Sequence, residues 1–112
     1  MYLKPMAIAA ALGIFQSGAT LAGDAVAGKK IATDRSRGNC IACHYLPGGQ
    51  SPGNIGPALV GIQGRYASKG QLTEQIYDAT VANPDSIMPP FGRHRILSGR
   101  ELADVVEYIW SL

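Results

Sequence analysis

The sequence predicts a small all-α fold, rich in loops, and three features of the chain carry that prediction. Leu102, Val105, Val106, Ile109 and Trp110 recur at i, i+3, i+4, i+7 and i+8, the stripe of a helix with one buried face. No segment alternates apolar and polar residues as a half-buried strand does, and no internal repeat is present. From Tyr45 to Gly70 the chain is crowded with Gly48-Gly49, Ser51-Pro52-Gly53-Asn54, Gly56-Pro57 and Gly61. Irregular stretches of that length in compact domains are usually functional or wrapped around something.

The elements follow in chain order. Lys4 precedes the apolar run Met6–Phe15 and then small residues through Ala22, the layout of a secretory signal peptide over residues 1–22. Cleavage after Ala22, with Thr20 as the second small residue, or after Ala19 fits the pattern. An uncleaved membrane anchor is the rival reading, but the apolar run is far short of the roughly 20 residues that span a bilayer, and no membrane span is expected after cleavage. Residues 23–112 then form one small domain, exported to a bacterial periplasm. Asp24 caps a first helix from Ala25 to about Asp34, with Val26 and Ile31 on its inner side. After the long loop, with at most a short turn at Leu59–Ile62, a second helix is expected from Gln71 to about Ala82. It carries Leu72, Ile76, Ala79 and Val81 inward and ends at Asn83-Pro84. Ser98-Gly99-Arg100-Glu101 is a capping-box pattern that opens a third helix running to Ser111.

Chemistry enters at Cys40-Ile41-Ala42-Cys43-His44. Two thiols three residues apart can add to the two vinyl groups of a haem, and the adjacent imidazole is then directed at the iron. A thioredoxin-like pair would need a strand before the motif, whereas the lead-in is Arg37-Gly38-Asn39 after a helical run. A zinc site fits poorly, since Cys40, Cys43, His44 and His94 match no zinc-finger spacing. A disulfide between the cysteines would close only a tiny loop. One covalent haem c is therefore the expected cofactor, and a body that large also supplies the core that 14 glycines and 7 prolines leave thin. The haem-free chain is expected to be poorly ordered.

The other axial ligand decides between electron carriage and small-molecule binding. Met1 and Met6 fall in the leader, so Met88 is the one thioether of residues 23–112. It stands in Ser86-Ile87-Met88-Pro89-Pro90-Phe91-Gly92, where the prolines fix the backbone. Methionine also serves as ordinary packing. His94 is the runner-up through bis-His ligation, although Arg93 and Arg95 beside it point to a solvated surface. A sensor with an open iron position would require Met88 to be unligated.

Loops enclosing a haem between packed first and last helices resemble the class I cytochrome c fold. In that likeness Gly28, Tyr108 and Trp110 stand where a close crossing of the two helices would use them, or serve as ordinary core. Pro57 stands as in cytochromes c whose proline carbonyl accepts the proximal histidine ring N–H, here that of His44, or is simply part of a tight turn.

A narrower likeness rests on Gly38-Asn39-Cys40-Ile41-Ala42-Cys43-His44, Gly49-Gln50-Ser51-Pro52-Gly53-Asn54-Ile55-Gly56-Pro57, Ala82-Asn83-Pro84-Asp85-Ser86-Ile87-Met88-Pro89-Pro90-Phe91-Gly92 and Val105-Val106-Glu107-Tyr108-Ile109. These segments resemble the SoxX family, the monohaem subunit of the SoxAX cytochrome of bacterial sulfur oxidation. Ala58 stands where a second proline is familiar, a departure that touches no ligand. The resemblance implies a heterodimer with the haem subunit SoxA, an L-cysteine S-thiosulfotransferase that joins thiosulfate oxidatively to a cysteine of the carrier SoxYZ. This chain would take up the released electrons and pass them to a small acceptor cytochrome c. A free-standing periplasmic cytochrome c shuttle is the alternative and predicts the same haem.

Charge narrows the partners little. Without Lys4, nine basic residues face eight acidic ones, and no basic run with interleaved aromatics supports nucleic-acid binding. Arg93, His94, Arg95 and Lys69 could form a basic rim that steers an acidic partner, or simply a solvated face. No carboxylate pair near the motif offers catalysis of its own.

Overall fold

Helix α1, Ala25–Thr33, lies across α3, Gly99–Trp110, and this crossing organises the rest of the computed structural model, which describes Tyr2 and residues 23–112. A 3-10 turn at Cys40–Ala42, a second at Ile62–Gly64 and helix α2, Lys69–Tyr77, come between them. No strand occurs among the described residues. The signal-peptide segment 1–22 lies outside them apart from Tyr2.

Local chemistry sets each helix boundary. The Asp24 carboxylate accepts the Val26 and Ala27 N–H groups at 2.9 and 3.2 Å, satisfying two of the donors a helix start leaves free. At the other end, Asp34 turns the chain by accepting from the Ser36 N–H at 2.8 Å and its hydroxyl at 2.6 Å. The inner stripe of α1 differs from the sequence expectation. Gly28 and Ala32 are buried, with Ala25 and Ile31 packed on the core, while Val26 is 69% exposed. The reason is the crossing itself. A Cβ at Gly28 would stand 1.9 Å from the Asp104 carbonyl oxygen, so the approach to α3 is through backbone, and a β-branched side chain has no room there. Asp104 adds a clasp by accepting the Asp24 N–H at 2.8 Å.

Helix α3 has its complete capping box. Ser98 Oγ accepts the Glu101 N–H, and the Glu101 carboxylate accepts the Ser98 N–H, each at 3.1 Å. Leu102, Val105, Val106 and Ile109 are buried as the stripe predicts, and Tyr108 joins them, its Cβ against the Gly28 crossing. Trp110 is half-buried at the edge of the same core.

Helix α2 starts earlier and ends earlier than its apolar spacing suggests. Ser68 caps it, accepting the Gln71 N–H at 3.1 Å, and it stops at Tyr77 rather than Ala82. Asp78 ends it, because its carboxylate accepts from the Thr80 N–H and hydroxyl and offers the backbone a turn instead of another helical residue. Ala79 is still buried, but Val81 is 83% exposed. The core gathers Ile62, Leu72, Ile76, Phe91, Leu97 and the α3 stripe on one side of a large cavity.

Candidate functional site

Asn39 enters the left-handed region at φ 50°, and this bend starts the 3-10 turn Cys40–Ala42. The Cys40 carbonyl accepts both the Cys43 N–H at 3.2 Å and the His44 N–H at 3.0 Å. That tight turn buries Ile41 and sets both thiols on the wall of the cavity. The cysteines are not joined to each other. In the haem-free chain burial pushes the Cys40 thiol up to about 11, so before attachment it is a protonated thiol at neutral pH.

The glycine-rich loop is threaded against this turn. Gly53 donates to the Ile41 carbonyl at 2.8 Å and Gly56 to the Cys43 carbonyl at 2.7 Å. The approach brings Gly56 under the His44 ring, where a Cβ would meet Cε1 at 2.4 Å. It also brings the Pro57 carbonyl to 2.6 Å from His44 Nδ1, which therefore carries the proton and donates it. Nε2 is left as the ring's free lone pair. Met88 comes from the opposite segment, half-buried on the same cavity, its N–H donating to Ser86 Oγ at 3.3 Å.

Cys40, Cys43, His44, Pro57 and Met88 thus line one cavity of about 680 Å³, walled on its apolar side by Leu72, Ile76, Phe91, Val105 and Ile109. His94 does not line it. Its ring is exposed and lies 3.5 Å from Arg93 Nη2. Of the two readings of Arg93, His94, Arg95 and Lys69, a basic rim or a solvated face, the rim is not found on this cavity, which none of the four lines. Lys69 is paired with Glu107 at 2.9 Å and Arg93 with Asp78 at 3.2 Å. The arginines on the cavity wall are Arg35, Arg37 and Arg65. Arg35 donates to the Gln50 carbonyl at 3.2 Å, Arg37 pairs with Glu101, and Arg65 donates to the Ala58 carbonyl at 2.8 Å. Sequence reasoning missed them because it sought charges beside Met88, whereas two of them stand within five residues before Cys40.

The cavity fits a haem on the chemistry of its donors: two thiols on one turn, a ring nitrogen with its tautomer fixed, a thioether facing the same space and apolar walls between. Asn39 Oδ1 is also buried there with no hydrogen-bond partner among the described residues. The family model described as Cytochrome c matches residues 25–112. The chain belongs to the cytochrome c family. With Cys40 and Cys43 as its two cysteines, this cytochrome c has a single covalently attached haem c. It is similar to a chain of the crystal structure of SoxXA from P. pantotrophus, with TM-score 0.70 and 27% identity over 78% of this chain and 80% of that one. The SoxX likeness read from the motifs holds at that level, and the protein is a SoxX-like cytochrome c. It is also 38% identical over 86 residues to an uncharacterized lipoprotein of Aquifex aeolicus, spanning 76% of this chain and 41% of that protein's length. No helix among the described residues is long and apolar enough to cross a membrane.

Proposed function

We propose that this cytochrome c is the electron-transfer subunit of a SoxAX-type L-cysteine S-thiosulfotransferase, with haem held by Cys40 and Cys43 and ligated by His44 and Met88. The likeness to SoxXA supports the subunit role, and the shared cavity, in which a histidine oriented by the Pro57 carbonyl and the thioether of Met88 line the same space, supports the ligation. When bound, the haem supplies one reversible electron at a time. The protein's own share is to hold both axial donors in place in either oxidation state and to keep water out with Leu72, Ile76, Phe91 and Val105. The Pro57 hydrogen bond makes the imidazole of His44 a better donor, and the thioether favours the ferrous state.

In this reading the chain is exported by the leader 1–22 and works in the periplasm beside a SoxA-like haem subunit. The sulfur chemistry takes place on that subunit, where thiosulfate is joined to the SoxYZ cysteine. This chain accepts the released electrons and hands them to a small acceptor cytochrome c. The test is a pull-down of the tagged, haem-loaded protein from thiosulfate-grown source cells, with haem staining and mass identification. Stoichiometric recovery of a SoxA-like cytochrome supports the subunit role, while a monomeric haem protein that never co-purifies with one favours a free shuttle.

A further inference from the structure

The segment that carries Met88 is a loop with two stems, and both stems return to one carboxylate. Asp78, immediately after α2, is 6% exposed. Its Oδ1 accepts the Thr80 N–H at 3.1 Å and the Thr80 hydroxyl at 2.5 Å, fixing the stem that leads into the loop. Its Oδ2 meets Arg93 Nη1 at 3.2 Å, fixing the stem that leads out. The backbone reinforces the second contact, because the Tyr77 carbonyl accepts both the Gly92 and the Arg93 N–H at 3.1 Å.

From these stems the path to Met88 is short and stiff. On the inward side, Asn83 donates to the Ala79 carbonyl at 3.1 Å, Ser86 to the Asn83 carbonyl at 2.9 Å, and Met88 to Ser86 Oγ. On the outward side, Pro89 and Pro90 have fixed φ and lead to Phe91, which is buried in the core. A loop so built moves as a body about its stems, so whatever joins the stems sets where the thioether stands.

We propose that Asp78 is the positioning residue for Met88: its carboxylate, shared between Thr80 and Arg93, closes the loop and holds the thioether at the cavity. Charge-assisted hydrogen bonds in a buried setting are strong, and the carboxylate has both oxygens engaged. Its protonation constant lies below the ordinary carboxylate value, chiefly through the Thr80 hydroxyl, with Arg93 and the neighbouring His94 adding to the effect. The clasp is therefore charged at neutral pH. This inference rests on Met88 being an iron ligand, and it adds what holds that ligand in place.

The experiment uses the haem-loaded protein and four variants: Asp78→Asn, Arg93→Ala, Arg93→Lys and Met88→Ala. The ferric sulfur-to-iron near-infrared band and the rate of CO binding to the ferrous protein are measured together with thermal stability. Opening the clasp raises the population with Met88 displaced by about tenfold, and CO binding accelerates by a similar factor while the near-infrared band weakens. Arg93→Ala moves both readouts in the same direction even where Asp78→Asn folds poorly, since Arg93 is half-exposed. Restoring the charge with Arg93→Lys recovers part of the band. An unchanged band and CO rate in both clasp variants, with lowered thermal stability, would make Asp78 a helix terminator only and overturn the proposal. A native protein without the band, or a Met88→Ala variant that keeps it, would overturn the ligand reading beneath it.

Discussion

Replacing Gly28 by alanine tests the helix crossing on which the fold depends. The added methyl would lie 1.9 Å from the Asp104 carbonyl oxygen, 2.5 Å from its carbonyl carbon and 3.0 Å from Tyr108 Cβ. The first two are backbone atoms of a helix interior, so no rotamer change relieves them. Carbon and oxygen need roughly 3.3 Å at contact, so α1 and α3 must separate by more than 1 Å. Separation also stretches the Asp24 N–H to Asp104 bond and loosens Ala32, Val105 and Tyr108 in the core. Overpacking of this kind costs about 1–3 kcal/mol, and the weakened hydrogen bond adds about 1 kcal/mol. For a domain of this size each kcal/mol moves the melting temperature by about 4–8 °C. The haem-loaded variant should therefore melt about 8–32 °C lower, followed by circular dichroism and the Soret band. Gly99→Ala is the control, because a Cβ there meets nothing within 4 Å and the position begins α3. It should be neutral or slightly stabilising. A Gly28→Ala protein melting within about 2 °C of the native one would refute the close crossing.

Three other outcomes are expected. Met88→Ala should leave haem attached through Cys40 and Cys43 but lower the reduction potential, read by potentiometric titration, because a thioether raises it. An unchanged potential would sink the ligand assignment. Gly56→Ala should displace the His44 ring, whose Cε1 would stand 2.4 Å from the new methyl, and lengthen the bond to Pro57. A lower yield of haem-loaded protein on expression would show this, and a native spectrum at native yield would contradict it. Acid should destabilise the fold through Asp78, whose folded-state value is depressed by the Thr80 hydrogen bonds and by Arg93. Its contribution is present above the ordinary value of 3.8 and is lost as pH falls through the lower folded-state value. An acid unfolding midpoint unchanged by Asp78→Asn would remove that group from the account.

The third helix was legible in the sequence because two independent signals agreed there, a five-position apolar stripe and a capping box. The structure has both. The other two helices were legible in existence and less so in extent. For α2, apolar spacing continued through Ala79 and Val81, but the Asp78 side chain competes with the helix for its own backbone, an effect that periodicity does not register. For α1, the sequence pointed both Val26 and Ile31 inward, and Ile31 does pack on the core. The partner surface at that point is the α3 backbone, so glycine and alanine took the inner positions and valine faced solvent.

The site divides along the same line. Cys40, Cys43 and His44 are contiguous, so local spacing alone brings them together, and Met88 stood out by scarcity. Pro57 required a long-range fact, that the loop returns to within 2.6 Å of His44 Nδ1, and only the likeness to known cytochromes anticipated it. Charges were the least legible feature, because what an exposed lysine or arginine does depends on which carboxylate it meets. From the sequence Arg93 could be a steering charge or part of a solvated face, and it is instead paired with Asp78. Arg35, Arg37 and Arg65 then remain as the positive groups on the cavity wall, each tied to the backbone or to Glu101. Arg37 is offset by its Glu101 partner, whereas Arg35 and Arg65 meet only neutral carbonyls. A cation fixed beside a haem disfavours the ferric charge more than the ferrous one, so in the proposed ligation these two arginines and a Met88 thioether would act in the same direction on the potential.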